Sequence, residues 1–409
     1  GGAAIPNSET AAPNPAPHFE TPGLCFISLA EAFTIARLKR NREADFGLVA
    51  GQVVRVATTR QNIRGRRLTT LITGAAGFIG MHVAEALLNR GEQVVGIDNF
   101  TPYYSLDLKR ARVARLEAQH GTAYSFLNVD FGDASALTAS LFGKEVDRVV
   151  HLGAQPGVRY SLENPAAYIH SNISGHLNIL ELARHRAISH LVYASSSSVY
   201  GMRRDTPFRV ADRADSPISL YAATKRADEL MSETYAHLFR IPQTGLRFFT
   251  VYGPWGRPDM AVWKFTEAVL QGKPIDVYNH GDMLRDFTFI DDIVTGIILA
   301  LDHPPADDGE QKPGGFATPH RLYNIGNNRP EQLTDLIRAI EDACGSEAKL
   351  NLLPMQDGDV YQTFADIDDI SRDLGFAPTT PMSVGVPAFV NWYVEEWSKH
   401  SGYPVAERE

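Results

Sequence analysis

Apolar and polar positions change their period several times along this chain, and the changes divide it into elements. From Leu68 an apolar stretch runs to Thr73, breaks into Gly74, Gly77 and Gly80, and gives way to helical spacing from about Phe78 to Arg90, closed by Gly91. A second apolar stretch, Val94 to Ile97, ends on Asp98. Short apolar runs flanking a 3.6-residue period predict strand, helix and strand. The segment therefore predicts a βαβ unit with its glycines at the first strand-to-helix turn.

The alternation continues downstream. Asp107 to Gln119 predicts a charged helix stopped by Gly121. Tyr124 to Val129 predicts a strand ending at Asp130, and Val146 to Leu152 another running into HLGAQ. Asn172 to His185 predicts a long crossover helix, and His190 to Ser195 a strand that ends in a serine run. Strands separated by helices imply an α/β fold with a doubly wound parallel sheet. Binding groups then belong at the carboxyl ends of the strands. After Gly245 the pattern is less regular, with a helix from about Val262 to Gln271 and a short strand from Pro274 to Tyr278. A loop follows from His303 to His320, then a strand from Tyr323 to Gly326 and a helix from Thr334 to Ala343. These segments predict a smaller α/β substrate-binding lobe over residues 251–400, partly interleaved with a first domain over 68–250.

The ends read differently. The first twenty residues are rich in Ala, Pro and Asn and predict disorder. Residues 24–40, with the basic run to Arg67, suggest a short amphipathic helix with a cationic flank. Residues 1–67 as a whole are expected to be an appended extension, and 401–409 a tail.

Composition narrows the function classes. The chain has 409 residues, 44% hydrophobic and 21% charged, ordinary values for a soluble globular protein. A net charge of −9 gives no reason to expect a nucleic-acid partner. The two cysteines, Cys25 and Cys344, make neither a disulfide framework nor a metal spacing, so no metal is expected and a reducing cytoplasm is the simplest setting. No apolar run reaches the roughly 18 residues of a spanning helix. The longest candidate, Leu24 to Leu38, is interrupted by Glu31 and Arg37, and no membrane partner is expected.

The glycine turn carries the first chemistry. Backbone N–H groups and a helix N-terminus can approach a pyrophosphate there only where side chains are absent. Gly74, Gly77 and Gly80, with Phe78 and Ile79 between them, are candidate cofactor residues. Asp98, at the tip of the second strand, can accept hydrogen bonds from an adenosine ribose. Its charge would repel a 2′-phosphate, and no Arg or Lys lies between Gly74 and Gly80, so NAD is expected rather than NADP. Tyr221 and Lys225 sit four apart in SLYAATKRADELM, on one face of a predicted helix. An ammonium beside a phenol favours the phenolate, which suits a general base. ASSSSVYG, residues 194–201, supplies hydroxyls at the preceding strand end.

The spacing G-x-x-G-x-x-G resembles that of the short-chain dehydrogenase/reductases, in their extended branch with a Rossmann fold. DNFTPYYSLDLKRAR, GVRYSLENPAAYIHSN, ASSSSVYG, SLYAATK, TGLRFFTVYGPWGRPDMA and RDFTFIDDI resemble the UDP-glucuronate 4-epimerases, over roughly Leu68 to Tyr393. The resemblance implies a tightly bound, recycled NAD, a UDP-hexuronate substrate and a homodimer. It implies Ser196 as the catalytic hydroxyl, Tyr221 as the base and Lys225 as its partner. Asn99, Asp130 and Gln155 match cofactor-side positions beside Asp98. Ser197 and Thr250 match groups near the uronate carboxylate, with Ser198 also on the substrate side. Arg257 matches an arginine of the sugar pocket, Arg285 a diphosphate contact and Asp359 a ribose contact. A buried carboxylate needs compensating donors, and Arg159, Thr250 and Arg257 can supply them.

Two positions depart from that family: Pro156 stands where Ala is usual, and Gln356 where related enzymes place a second basic diphosphate contact. UDP-glucuronate decarboxylases commonly carry Glu at the Ser198 position and Asn at the Thr250 position. UDP-glucose 4-epimerases also tend to carry Asn at the latter. A cofactor-binding regulatory protein is the alternative of another class, and the intact Ser196, Tyr221 and Lys225 argue against it.

Overall fold

The computed structural model describes residues 67–356 and 360–401, together with Gly1. The chain divides into two units, Gly1–Gln61 and Asn62–Glu409, and beyond Gly1 only the second is described. The expected extension up to Arg66, the amphipathic helix over 24–40, Cys25, Asp359 and the tail after Ser401 lie outside the described residues.

Twelve strands are present among the described residues. In chain order they are β1 (Thr69–Thr73), β2 (Gln93–Asp98), β3 (Tyr124–Asn128), β4 (Arg148–His151), β5 (His190–Ser196) and β6 (Gln243–Phe248). They continue with β7 (Thr250–Tyr252), β8 (Pro274–Val277), β9 (Leu284–Phe289), β10 (His320–Ile325), β11 (Pro330–Gln332) and β12 (Lys349–Leu352). Seven form one sheet in the order β10-β6-β5-β4-β1-β2-β3, with every pair parallel. Helices cover both faces of such a sheet, so its central strands are buried on both faces rather than on alternate positions. β1 is buried at all five positions. The doubly wound α/β fold expected from the pattern is therefore observed. The remaining strands form a three-stranded set, β11-β9-β7, and a pair, β12-β8.

The longer helices are α1 (Phe78–Asn89), α2 (Leu106–His120), α3 (Gly175–His185), α4 (Leu220–Phe239), α5 (Ala261–Leu270), α6 (Ile290–Asp302), α7 (Leu333–Cys344) and α8 (Met382–Trp392). Their starts follow local chemistry. Ser105 caps α2 by accepting from Leu108 N at 3.3 Å, and Ser219 caps α4 by accepting from Ala222 N at 3.1 Å.

Two elements differ from the sequence reading. The crossover helix does not begin at Asn172. A short helix Pro165–Tyr168 leads into a π-turn at Ile169–Ser174, which then becomes α3. A π-turn inserts a residue into the helical period, so spacing alone misplaces the start. The strand expected from Tyr323 to Gly326 begins at His320, and it joins the main sheet beside β6, with His320 opposite Gln243. All six of its positions are buried. Nothing local marks it as an edge strand of the first sheet, because its partner lies some eighty residues upstream.

The helix α4 is fastened to the sheet by buried charge. Arg247 of β6 is 1% exposed and donates through Nε and Nη2 to Glu229 at 2.7 and 2.9 Å. Ser195 Oγ donates to Glu229 at 2.6 Å, and Arg226 does so at 2.7 Å. Removing one member of a buried pair leaves an uncompensated charge, at a cost of about 3–5 kcal/mol. Arg247→Met should therefore lower the unfolding free energy by about 3 kcal/mol, near the lower end of that range, since Arg226 remains. Arg247→Met combined with Glu229→Leu should recover most of the loss. Urea unfolding followed by circular dichroism checks both, and a single variant as stable as the parent would remove this pair from the stability of α4.

Candidate active site

The turn after β1 is too narrow for side chains. Gly74 has φ +70°, and a Cβ there would stand 2.8 Å from Gly153 N. A Cβ on Gly80 would collide with the Gly74 carbonyl oxygen. Gly77 N donates to that same oxygen at 2.9 Å, closing the turn. No side chain caps α1, so the N–H groups of its first turn, over Phe78 and Ile79, are free of a side-chain acceptor. The turn therefore offers backbone donors that a diphosphate can reach.

Asp98 ends β2 and is 8% exposed. Its carboxylate accepts from Phe100 N at 2.9 Å and Ala76 N at 3.3 Å, and burial pushes its pKa up. Two bonds leave a carboxylate with acceptor capacity for a ribose. Asp130 accepts from Gly132 N at 2.7 Å and pairs with His170 at 3.0 Å. Burial pushes its carboxyl up, but His170, the Gly132 N–H and Asn99 outweigh it and hold the group below the usual carboxylate range. Gln155 N donates to Asn172 Oδ1 at 2.8 Å, while Asn172 Nδ2 donates to Gln155 O and to Thr224 Oγ1 at 3.2 and 2.9 Å. The π-turn thus points Asn172 inward, where it joins the Gln155 loop to α4. A Cβ-free turn, an uncapped helix start and an acid at the next strand end fit an NAD.

Of the three residues expected to react, Tyr221 and Lys225 lie on α4 and Ser196 on β5. Ser196 is the last residue of β5, and its Oγ accepts from Ser198 N and donates to Ser198 Oγ, both at 3.2 Å. Tyr221 and Lys225 lie one turn apart on α4. Lys225 is 2% exposed, and its Nζ donates to Ala194 O and to Asp228 Oδ2, each at 3.0 Å. The half-buried Tyr221 meets the ring of Tyr168 edge-on at 6.1 Å. Tyr168 in turn donates to the carbonyls of Pro156 and Gly157 at 2.8 and 2.5 Å. The unusual Pro156 is therefore used through its carbonyl, which proline retains.

Of the residues expected on the substrate side, Ser197 and Thr250 are half-buried, and Thr250 opens β7 opposite Phe287 of β9. Arg257 donates to Asp259 at 3.0 and 2.5 Å, and Tyr103 donates to the same carboxylate at 3.2 Å. Arg159 is exposed and lies 5.2 Å from the ring of Tyr278. Arg285 donates to Leu284 O and Tyr361 O at 2.9 and 3.0 Å.

Sequence reasoning missed Asn172, Tyr168, Asp228 and Arg112. Arg112 is fully buried on α2 and donates to Ala76 O, Tyr104 Oη, Trp255 O and Gly256 O at 3.1, 2.7, 2.5 and 2.8 Å. It joins the nucleotide turn to the loop that carries Arg257. The available signal was a polar residue on the apolar face of its helix, between Leu108 and Leu116.

Gly80→Ala should displace Gly74 O and weaken NAD retention at least tenfold, about 1.4 kcal/mol. Nucleotide released from heat-denatured purified protein measures it. Full retention would show that the turn tolerates a Cβ.

The family model described as the NAD dependent epimerase/dehydratase family matches residues 70–326. The chain is 46% identical over 335 residues to a probable UDP-glucuronate 4-epimerase of Rhizobium meliloti, covering 80% of this chain and 98% of that protein. It is also 46% identical over 336 residues to UDP-glucuronate 4-epimerase 4 of Arabidopsis thaliana, covering 81% and 76%. Among solved structures it is similar to UDP-glucuronic acid 4-epimerase from Bacillus cereus in complex with UDP-glucuronic acid and NAD. That match has a TM-score of 0.71 and 34% identity, and covers 80% of this chain and 99% of that one. With the glycine turn and the parallel sheet in place, this chain belongs to the NAD dependent epimerase/dehydratase family.

Proposed function

We propose that this protein interconverts UDP-glucuronate and UDP-galacturonate at C4, through a transient 4-keto sugar, with an NAD that stays bound and is recycled. One observation carries this reading. Ser196 ends β5, and Tyr221 and Lys225 lie one turn apart on α4, where Lys225 bonds the Ala194 carbonyl of β5, in a chain nearly half identical to named UDP-glucuronate 4-epimerases. Residues 68–250 serve as the NAD-binding domain, and 251–400 as the substrate lobe that returns β10 to the main sheet.

Bound NAD supplies reversible hydride acceptance from the sugar C4. The chain supplies the proton chemistry. Tyr221 takes the proton of the 4-hydroxyl and later returns it to the same C4 oxygen. Ser196 hydrogen-bonds the same oxygen, and Lys225 holds positive charge beneath the phenol. Arg285 and Asp359 hold the nucleotide end while the sugar turns about its diphosphate linkage. Arg159 and Arg257 line the sugar side. The ketone is β to the C5 carboxylate, so carbon dioxide leaves when that bond lies parallel to the carbonyl π orbital. Ser197 and Thr250 hold the carboxylate away from this alignment.

The working unit is a homodimer in the cytoplasm. Leu177 on α3, with Leu230 and Leu238 on α4, is 41, 54 and 60% exposed respectively, and the eight-residue spacing places the last two near one face. A second copy would cover them, and light scattering during gel filtration reads the mass. No helix among the described residues is long and apolar enough to cross a membrane.

Purified protein given UDP-glucuronate without added NAD should yield UDP-galacturonate by proton NMR. A UDP-pentose would mark a decarboxylase instead, and an unchanged sugar a binding protein. Tyr221→Phe should retain NAD and lose about 10² to 10⁴ in turnover; near-parental activity would exclude Tyr221 as the base.

Thr250→Val removes one hydroxyl at nearly constant volume, a hydrogen bond of about 0.5–1.5 kcal/mol net. Ketone formation should persist while carbon dioxide released per turnover rises. A slower variant with unchanged carbon dioxide per turnover would leave Thr250 a packing residue.

A further inference from the structure

The side-chain partner of the Lys225 ammonium is a carboxylate. Asp228, one turn along α4, is 1% exposed and places Oδ2 3.0 Å from Lys225 Nζ. Its other oxygen, Oδ1, is buried and has no hydrogen-bond partner among the described residues. An ionised carboxylate with one oxygen unsolvated is costly. A proton on that oxygen removes the charge, and it leaves Oδ2 as acceptor for Lys225.

We infer that Asp228 is a positioning residue that acts through Lys225: its protonation state sets how much positive charge reaches Tyr221, and so sets the pH at which Tyr221 gives up its proton. With Asp228 ionised, the ammonium is compensated and the phenol keeps its proton more firmly. With Asp228 neutral, the full charge acts and the phenolate is favoured. An epimerase uses the same group in both directions, so a phenol made too acidic would be a poor base toward the 4-hydroxyl. Asp228 moderates the lysine. This inference rests on the reading of Tyr221 as the base.

Burial pushes the Asp228 carboxyl up to about 7, against the opposing pull of Lys225. On the same helix, Glu229 is also pushed up by burial but is held low by Arg247, with Ser195 and Arg226 assisting. His176 of α3 packs against this region and donates or accepts at Ser232 Oγ at 2.8 Å; burial holds it neutral, well below its ordinary range. His151 of β4 stands 5.3 Å from His176, ring to ring, and burial lowers it to about 3. Tyr193 of β5 also faces Asp228, and burial pushes its phenol up. Tyr193 is bonded in turn to His320 at 2.8 Å.

The test needs no sugar. The NAD-loaded protein is titrated by tyrosinate ultraviolet absorbance, and the part lost on Tyr221→Phe is assigned to Tyr221. In Asp228→Asn that component should move to lower pH by roughly one unit or more, and the acid limb of kcat/KM should move with it. An unmoved midpoint, or an upward one, overturns the inference, and a uniform drop in kcat at every pH would make Asp228 only a brace for Lys225. Should the Asn variant fail to retain NAD, Asp228→Ala and infrared titration of the parent replace it. A protonated carboxylic-acid band that disappears near neutrality in the parent and is missing from Asp228→Ala supports the inference, and the absence of any such difference overturns it. Because the absorbance titration is independent of turnover, a failed epimerase assay and an unmoved Tyr221 midpoint are distinct results.

Discussion

Charges that leave water must be balanced by charges or dipoles nearby, and α4 carries three of them into the interior. Lys225, Asp228 and Glu229 are each at most 2% exposed. Their partners outside α4 come from two strands: the Ala194 carbonyl and Ser195 hydroxyl on β5, and Arg247 on β6. This arrangement turns the polar face of a helix toward a buried sheet. It also fixes α4 in rotation and depth, which decides where Tyr221 points. The chemistry and the stability of the helix therefore share one set of contacts.

The loops around the site are held in a similar way, by single buried side chains that satisfy backbone groups from several segments. Arg112 bonds carbonyls of the nucleotide turn and of the Trp255–Gly256 loop. Asn172 joins the Gln155 loop to α4. Asp286, beside the diphosphate candidate Arg285, accepts from Asn327 N at 2.6 Å, Ala365 N at 3.0 Å and Thr288 Oγ1 at 3.3 Å. Burial pushes its carboxyl up to about 6 despite those donors. Loops have no ladder to satisfy their backbone, so each of these residues supplies in one place what regular structure supplies elsewhere. The proposed carboxylate clamp needs that rigidity, because bond alignment, and not affinity, separates epimerisation from loss of carbon dioxide.

Much of this was legible in the sequence because it is local. The βαβ unit, the parallel sheet and the glycine turn follow from apolar period and from residues that must lack a Cβ. The Tyr221–Lys225 spacing follows from the helical repeat, and Asp98 from the end of a strand. The resemblance to nucleotide-sugar epimerases added roles to positions such as Thr250 and Arg285 that spacing alone leaves open.

Tertiary structure decided what depends on partners distant in the chain. β10 belongs to the main sheet because Gln243 lies opposite His320, and no local pattern records that pairing. The π-turn that carries Asn172 breaks the very period used to find helices. Arg257 meets Asp259 and Arg159 lies over Tyr278, although composition marks both simply as available cations. Asp228 read as one more charge on an amphipathic helix. Only packing against β5 and α3 buries it beside Lys225, because the direction a side chain faces is set by what its helix packs against, and a carboxylate acquires unusual chemistry only after water has been removed from it.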